Sequence, residues 1–159
     1  MVPAMPPALR ILLAEDNAGD VFLVREALNR HCPNYELTVA TDGKSAGEMI
    51  EAAETNQRRV FTFFLLDLNL PARPGLELLA RIRRSALMAR MPVVIVTSSD
   101  AVRDRMSIEK SGADYYFCKP SRLEKFLELG SIVQRLWVEH IKRVGENSYS
   151  PRTQPQGDL

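Results

Sequence analysis

Apolar and polar positions alternate along this chain in short, repeated blocks. Leu9-Arg10-Ile11-Leu12-Leu13-Ala14 is a mostly apolar run. It gives way to polar Glu15-Asp16-Asn17, and then to Val21, Leu23, Val24, Ala27 and Leu28 at helical spacing. That order predicts strand, loop, helix. After a break at Pro33-Asn34, the alternation from Tyr35 to Ala40 predicts a second strand, and Lys44 to Ala53 sets Ala46, Met49, Ile50 and Ala53 on one helical face. Thr55 to Arg59 is a polar link. Val60 to Leu66 is almost wholly apolar, the pattern of a central parallel strand covered on both faces, and it runs straight into Asp67. Pro71, Pro74 and Gly75 punctuate a turn before a helix from Leu76 to Arg84, with Leu76, Leu79, Ala80 and Ile82 as its inward side.

Pro92 to Val96 repeats the strand pattern with β-branched residues leading to Thr97, and Ser98-Ser99-Asp100 opens a helix from Ala101 to Ser111 that Gly112 closes. Tyr115 to Cys118 is the fifth strand. Ser121 and Glu124 have capping-box spacing for a last helix running to about Arg143. Five strand-helix pairs in strict alternation predict a doubly wound α/β sheet with right-handed crossovers. The expected layout is a flexible leader over residues 1–8, one domain over 9–144 and a mobile tail over 145–159, where Ser, Pro, Gln and Gly dominate.

Composition narrows the function classes. With 159 residues and 45% hydrophobic positions, one domain can bury a real core. A net charge of +1 gives no footprint for nucleic acid, and Arg58-Arg59 and Arg81, Arg83, Arg84 are read as solvated faces. Cys32 and Cys118 lack metal spacing, which predicts reduced thiols, and neither His31 nor His140 has partners at ligand spacing. Met1 to Pro7 has neither the basic nor the apolar region of a signal peptide. No run approaches the roughly 20 apolar residues of a membrane span. The expectation is a soluble cytoplasmic protein with no membrane and no nucleic-acid partner.

The chemistry lies where strands end. Glu15, Asp16, Asp67, Thr97 and Lys119 each follow or close an apolar run, so one parallel sheet would bring them to its carboxyl edge, where open α/β sheets bind ligands. An acidic pair opening a helix is common, because acids suit the helix dipole. Asp67 is less ordinary: the strand delivers a carboxylate into buried surroundings, which is costly without compensation. Glu15, Asp16 and Asp67 offer the hard oxygens that suit Mg²⁺, and Lys119, fixed by Pro120, offers a positive partner.

ILLAEDN, FFLLDLNLP, VVIVTSSD and YYFCKP, spaced as here, resemble the receiver domain of two-component response regulators over roughly Leu9 to Leu129. The resemblance implies a flavodoxin-like sheet of order 2-1-3-4-5 with helices on both faces. It makes Asp67 the phosphoacceptor, and Glu15, Asp16, Asp67 and the backbone carbonyl of Asn69 the Mg²⁺ ligands. Thr97 would bind the phosphoryl group, Lys119 would pair with it, and Tyr116 would be the aromatic that changes rotamer with Thr97 on activation. A cis Lys119-Pro120 bond is also implied. The phosphoryl donor would be a sensor histidine kinase, and the protein would catalyse only its own phosphorylation and dephosphorylation.

No second domain is read from this sequence, so the signal is expected to pass by contact. On the last helix, Leu123, Phe126, Leu127, Val133, Trp137, Ile141 and Val144 form one stripe, and Leu129, Ile132 and Leu136 lie on a second side. Two apolar sides exceed what a helix on one sheet face needs. They suggest a homodimer surface built from Phe126, Leu129, Ile132, Val133, Leu136 and Trp137, with plain core packing as the alternative. Gly130 inside this helix marks a close approach or a bend. The extended helix also resembles that of the stand-alone regulators paired with bacterial phytochrome histidine kinases. Two other readings compete: a degenerate receiver serving only as a docking or dimerisation module, and a phosphatase of the haloacid-dehalogenase kind. The latter uses a second Asp two residues after its nucleophile, where this chain has Asn69.

Overall fold

A computed structural model describes residues 8–98 and 110–147. The expected helix from Ala101, apart from its last turn at Lys110 and Ser111, lies outside them, as do Ser99 and the segments 1–7 and 148–159. The order of elements is β1 (Leu9–Ala14), α1 (Ala18–His31), β2 (Tyr35–Ala40), α2 (Gly43–Thr55), β3 (Phe63–Leu66), α3 (Gly75–Arg84), β4 (Val93–Thr97), β5 (Tyr115–Cys118) and α4 (Leu123–Asn147). The five strands form one all-parallel sheet in the order β2-β1-β3-β4-β5.

Pleating sorts the apolar side chains into two cores. Phe63 and Leu65 of β3, with Ile11, Leu13, Val94 and Val96, face α1 and α4; Phe64 and Leu66, with Leu12, Val93 and Ile95, face α2 and α3. Every residue of β3 is therefore buried, as its unbroken apolar run predicted. The strand is shorter than expected, because the chain over Val60 to Thr62 is pinned by Arg10 instead of pairing in full. The Arg10 guanidinium donates to the carbonyls of Arg59 at 2.6 Å and Val60 at 2.9 Å, and its backbone N–H donates to Thr62 Oγ1 at 2.9 Å.

Other expectations shift by a residue or two. In α3 the buried set is Gly75, Leu78, Leu79 and Ile82, while Leu76 is half-buried and Ala80 exposed. The helix begins at Gly75, pressed against the Asp67 backbone carbonyl, and this sets its rotation. In α2, Met49 is half-buried beside fully covered Ala46, Ile50 and Ala53. The Phe126 N–H bonds the Arg122 carbonyl, so Arg122 and not Ser121 stands at the N-cap of α4, and the helix continues beyond Arg143 to Asn147. Only part of the basic run on α3 is a solvated face: Arg84 is exposed, whereas Arg81 pairs with Glu54 at 3.3 Å and Arg83 is half-buried. Arg83 donates to the carbonyls of Ala89, Met91 and Gly112 and pairs with Asp114 at 2.8 Å, which ties α3 to the approach to β5.

Packing of α4 corrects the expected dimer surface. Phe126, Leu129, Val133, Leu136 and Trp137 are buried, and Ile132 is half-buried against the same core. The helix packs on the sheet and against α1, so the middle of both stripes, from Phe126 to Trp137, is covered within the chain. Among the described residues, the large apolar positions of α4 left outside are Leu123, Val138 and Val144. Gly130 marks the α1 crossing: a Cβ there would strike the Ala27 carbonyl. Gly130→Ala is expected to destabilise the fold by about 1–3 kcal/mol through overpacking, despite the better helix propensity of alanine. A lower urea midpoint would show it, and an unchanged or higher midpoint would mean that the two helices part freely. Cys32 sits at the same crossing, where burial pushes its thiol up to about 11 and makes it unreactive. Both cysteines are free.

Candidate functional site: an acidic pocket closed by Lys119

Each site residue is placed by a strand end. The Glu15 N–H continues the ladder to the Ala40 carbonyl at 3.0 Å, and the Asp67 N–H does the same to Ala14 at 3.0 Å. The Lys119 N–H reaches the Thr97 carbonyl at 2.7 Å, so the lysine stays in register one residue past β5. These extensions carry Glu15, Asp67, Thr97 and Lys119 to the carboxyl edge of the sheet, as the pattern of runs implied.

Carboxylate oxygens of Glu15, Asp16 and Asp67 all lie within 4.8 Å of one another. Glu15 is only 2% and Asp67 5% exposed, whereas Asp16 is open to solvent. The buried pair tolerates this crowding because the Lys119 ammonium sits between them, 2.7 Å from Glu15 Oε2 and 2.8 Å from Asp67 Oδ2. The free oxygens are also satisfied: Asn17 N–H donates to Glu15 Oε1 and Asn69 N–H to Asp67 Oδ1, each at 3.0 Å.

Titration follows from the same geometry. Burial dominates at Glu15 and, with the Asp67 charge, pushes its carboxyl up to about 7 against the pull of Lys119 and Asn17. Burial opposes ionisation of Asp67 too, but the hydrogen bonds from Lys119 and Asn69 outweigh it and hold that carboxyl below its usual range. Burial would likewise lower the Lys119 ammonium, and its three carboxylate partners instead raise it. Asp67 is thus kept as the carboxylate.

Sequence reasoning missed the third of those partners. Asp20, in the first turn of α1, places Oδ2 2.8 Å from Lys119 Nζ. The available signal was the Asn17 N-cap, whose Oδ1 accepts the Asp20 N–H at 3.0 Å and so turns that residue toward the pocket.

Thr97 is wholly buried at the end of β4, and Tyr116 on β5 is half-buried, opposite Ile95 in register. Alternation puts Thr97 on the Ile95 face of the sheet, where Tyr116 also packs. Asn69 is exposed beside Asp67. Gly75 closes the loop from behind, with its N–H on the Leu68 carbonyl at 3.2 Å. The Lys119-Pro120 bond is trans, as are the others among the described residues, which corrects the expected cis bond; trans is the isomer that X–Pro peptides ordinarily favour, and Lys119 reaches its partners from it.

Hard, converging oxygens of this kind fit a divalent cation of the Mg²⁺ or Mn²⁺ type, which takes a few carboxylates and keeps part of its water shell. The site could then hold two positive charges, the cation and Lys119, beside a carboxylate that remains nucleophilic. That combination suits a phosphoryl group.

A doubly wound sheet with acids and a lysine at its carboxyl edge defines a class, and the family comparison specifies it. Residues 11–129 match the response regulator receiver domain, and the chain belongs to that family. Response regulator Rcp1 of Synechocystis sp. is 31% identical over 137 residues, which make up 86% of this chain and 92% of that protein. The Mn²⁺-bound form of Rcp1 superimposes with a TM-score of 0.72 at 30% identity, over 82% of this chain and 95% of that one. The phosphorylated cyanobacterial phytochrome response regulator RcpA gives 0.69 at 28% identity, over 83% and 95%. The order β2-β1-β3-β4-β5 is the sheet order expected of that family. No helix among the described residues is long and apolar enough to cross a membrane.

Proposed function

We propose that this receiver domain is a phosphorylation switch in which Asp67 takes a phosphoryl group from a phosphohistidine of a sensor histidine kinase. The observation that carries the reading is the Lys119 ammonium seated on Asp67 and Glu15 inside the acidic cluster. An Asp67 carboxylate oxygen forms the new bond to phosphorus as the phosphorus–nitrogen bond breaks, and the histidine leaves with the electron pair. Lys119 takes up charge on the phosphoryl oxygens, and Asn69 N–H holds the attacking carboxylate in place. Glu15, Asp16, Asp67 and the carbonyl of Asn69 are assigned to Mg²⁺, which when bound neutralises the acids and the incoming oxygens.

Output is assigned to Thr97 and Tyr116. The Thr97 hydroxyl moves toward the new phosphoryl oxygens, and the Tyr116 ring turns inward along the shared sheet face. The similarity to Rcp1 and RcpA supports a kinase of the bacterial phytochrome kind and a cytoplasmic setting. Asn69 carries a carboxamide where a phosphatase of the haloacid-dehalogenase kind has its acid, so hydrolysis of an external phosphomonoester is expected to stay at background.

The test is the intact mass of the protein after incubation with acetyl phosphate. One phosphoryl increment is expected with Mg²⁺, and its loss is expected when a chelator removes the metal. Incorporation that persists without a divalent cation would overturn the metal assignment. No incorporation from either acetyl phosphate or a phosphorylated kinase would overturn the switch and leave a docking module.

A further inference from the structure

We propose that Asp20 is the fixed anchor of the Lys119 ammonium, a positioning residue that holds the lysine where phosphoryl oxygens arrive. The inference rests on the receiver reading and adds to it a residue outside the expected constellation. Lys119 has three N–H donors and three carboxylate partners, Glu15 at 2.7 Å and Asp20 and Asp67 at 2.8 Å. Glu15 and Asp67 belong to the oxygen cluster suited to a cation; Asp20 does not. A bound metal would be held by Glu15 and Asp67, and phosphorylation would turn Asp67 into an acyl phosphate. Asp20 alone keeps its carboxylate free for the lysine.

Local structure favours that role. Asn17 is bonded to two of the three partners: its N–H donates to Glu15 and its Oδ1 accepts from the Asp20 backbone, each at 3.0 Å. A side chain at Gly19 would bring its Cβ to 3.1 Å from Asn17 Oδ1, so the glycine leaves that turn undisturbed. The first turn of α1 is thereby fixed against the pocket, and Asp20 approaches Lys119 from the helix side while Asp67 approaches from the sheet. When acetyl phosphate is the donor, an Asp67 oxygen bonds to phosphorus and the phosphorus–oxygen bond to acetate breaks, with acetate leaving with the electron pair. No proton has to move. Lys119 needs only to exchange its Asp67 bond for a phosphoryl oxygen while Asp20 retains it, so the ammonium is positioned before the charge develops. Without Asp20, the ammonium faces a bound cation with no fixed counter-charge behind it.

Asp20→Asn removes the charge at almost constant size, and Asp20→Glu keeps it. In the metal-free protein, the Lys119 side-chain nitrogen is expected to give a protected ammonium resonance by NMR, which Asp20→Asn broadens away and Asp20→Glu retains. With Mg²⁺ and acetyl phosphate at saturation, Asp20→Asn is expected to phosphorylate about tenfold more slowly, the effect of one charge-assisted hydrogen bond, with its melting temperature nearly unchanged. Asp20→Glu should recover part of that rate. An Asp20→Asn variant with the wild-type rate or an intact Lys119 resonance would overturn the proposal and leave Asp20 as a helix-terminus charge. Equal loss of rate and of thermal stability in both variants would also overturn it, as a structural role. If the wild-type protein itself takes no phosphate, the receiver reading fails, and the metal-free resonance still decides whether Asp20 holds Lys119.

Discussion

Asp67→Asn is expected to abolish phosphate incorporation while the protein stays folded. The amide oxygen is a poor nucleophile toward phosphorus, and the incoming group loses the one buried carboxylate that Lys119 and Asn69 together hold ionised. The fold should survive, because an amide oxygen can still accept from Lys119 and the ammonium keeps Glu15 and Asp20. Crowding of negative charge in the pocket also falls, so the change in stability should stay within about 1 kcal/mol. Intact mass after acetyl phosphate treatment measures the first effect and thermal unfolding the second. Label that persists and maps to Glu15 or Asp16 would move the phosphoacceptor off Asp67.

Replacing Lys119 should damage the resting fold as well as the chemistry. Lys119→Met leaves Glu15 and Asp67 facing each other with no cation between them, both almost fully covered. Truncating one member of a buried charge network costs about 3–5 kcal/mol, and Glu15, already pushed up to about 7, relieves part of it by taking a proton. We expect a loss of about 3 kcal/mol, which for a chain of this size lowers the melting temperature by about 6–12 °C. Millimolar Mg²⁺ should restore more stability to Lys119→Met than to wild type, since a cation held by the acids replaces the missing charge. Equal metal stabilisation in the two proteins would show that Lys119 and the cation do not share the same carboxylates.

Periodicity made β1, β2 and β5 legible to the residue, because a strand bounded by polar turn residues has sharp ends in sequence. It was less reliable where side chains compete for the backbone. Arg10 took the carbonyls that would have begun β3 at Val60, and contact of Gly75 with the Asp67 carbonyl turned α3 so that Leu78 replaced Ala80 inside. The basic residues of α3 could not be sorted by spacing either, since Arg83 reaches carbonyls in two segments, the one that follows α3 and the one that leads into β5. The two apolar sides of α4 were legible, but not the choice between a dimer surface and core packing for the second, which the structure covers: sequence counts the apolar sides of a helix but not its neighbours. The second neighbour is α1, and its approach is permitted by the absent side chain at Gly130.

By itself the sequence determined the class of the fold, the order of its elements and the identity of the acids, threonine and lysine at the strand ends. Each depends on local period and on residue type, which are properties of the chain alone. Tertiary structure decided which charges touch. Glu15, Asp20, Asp67 and Lys119 come from three strand ends and a helix turn, and only sheet pairing brings Lys119 Nζ within 2.8 Å of all three carboxylates. It decided equally that the middle of α4, from Phe126 to Trp137, is covered by the sheet and α1. Contacts between residues far apart in the chain depend on how twisted layers meet, and no spacing along one segment encodes that meeting.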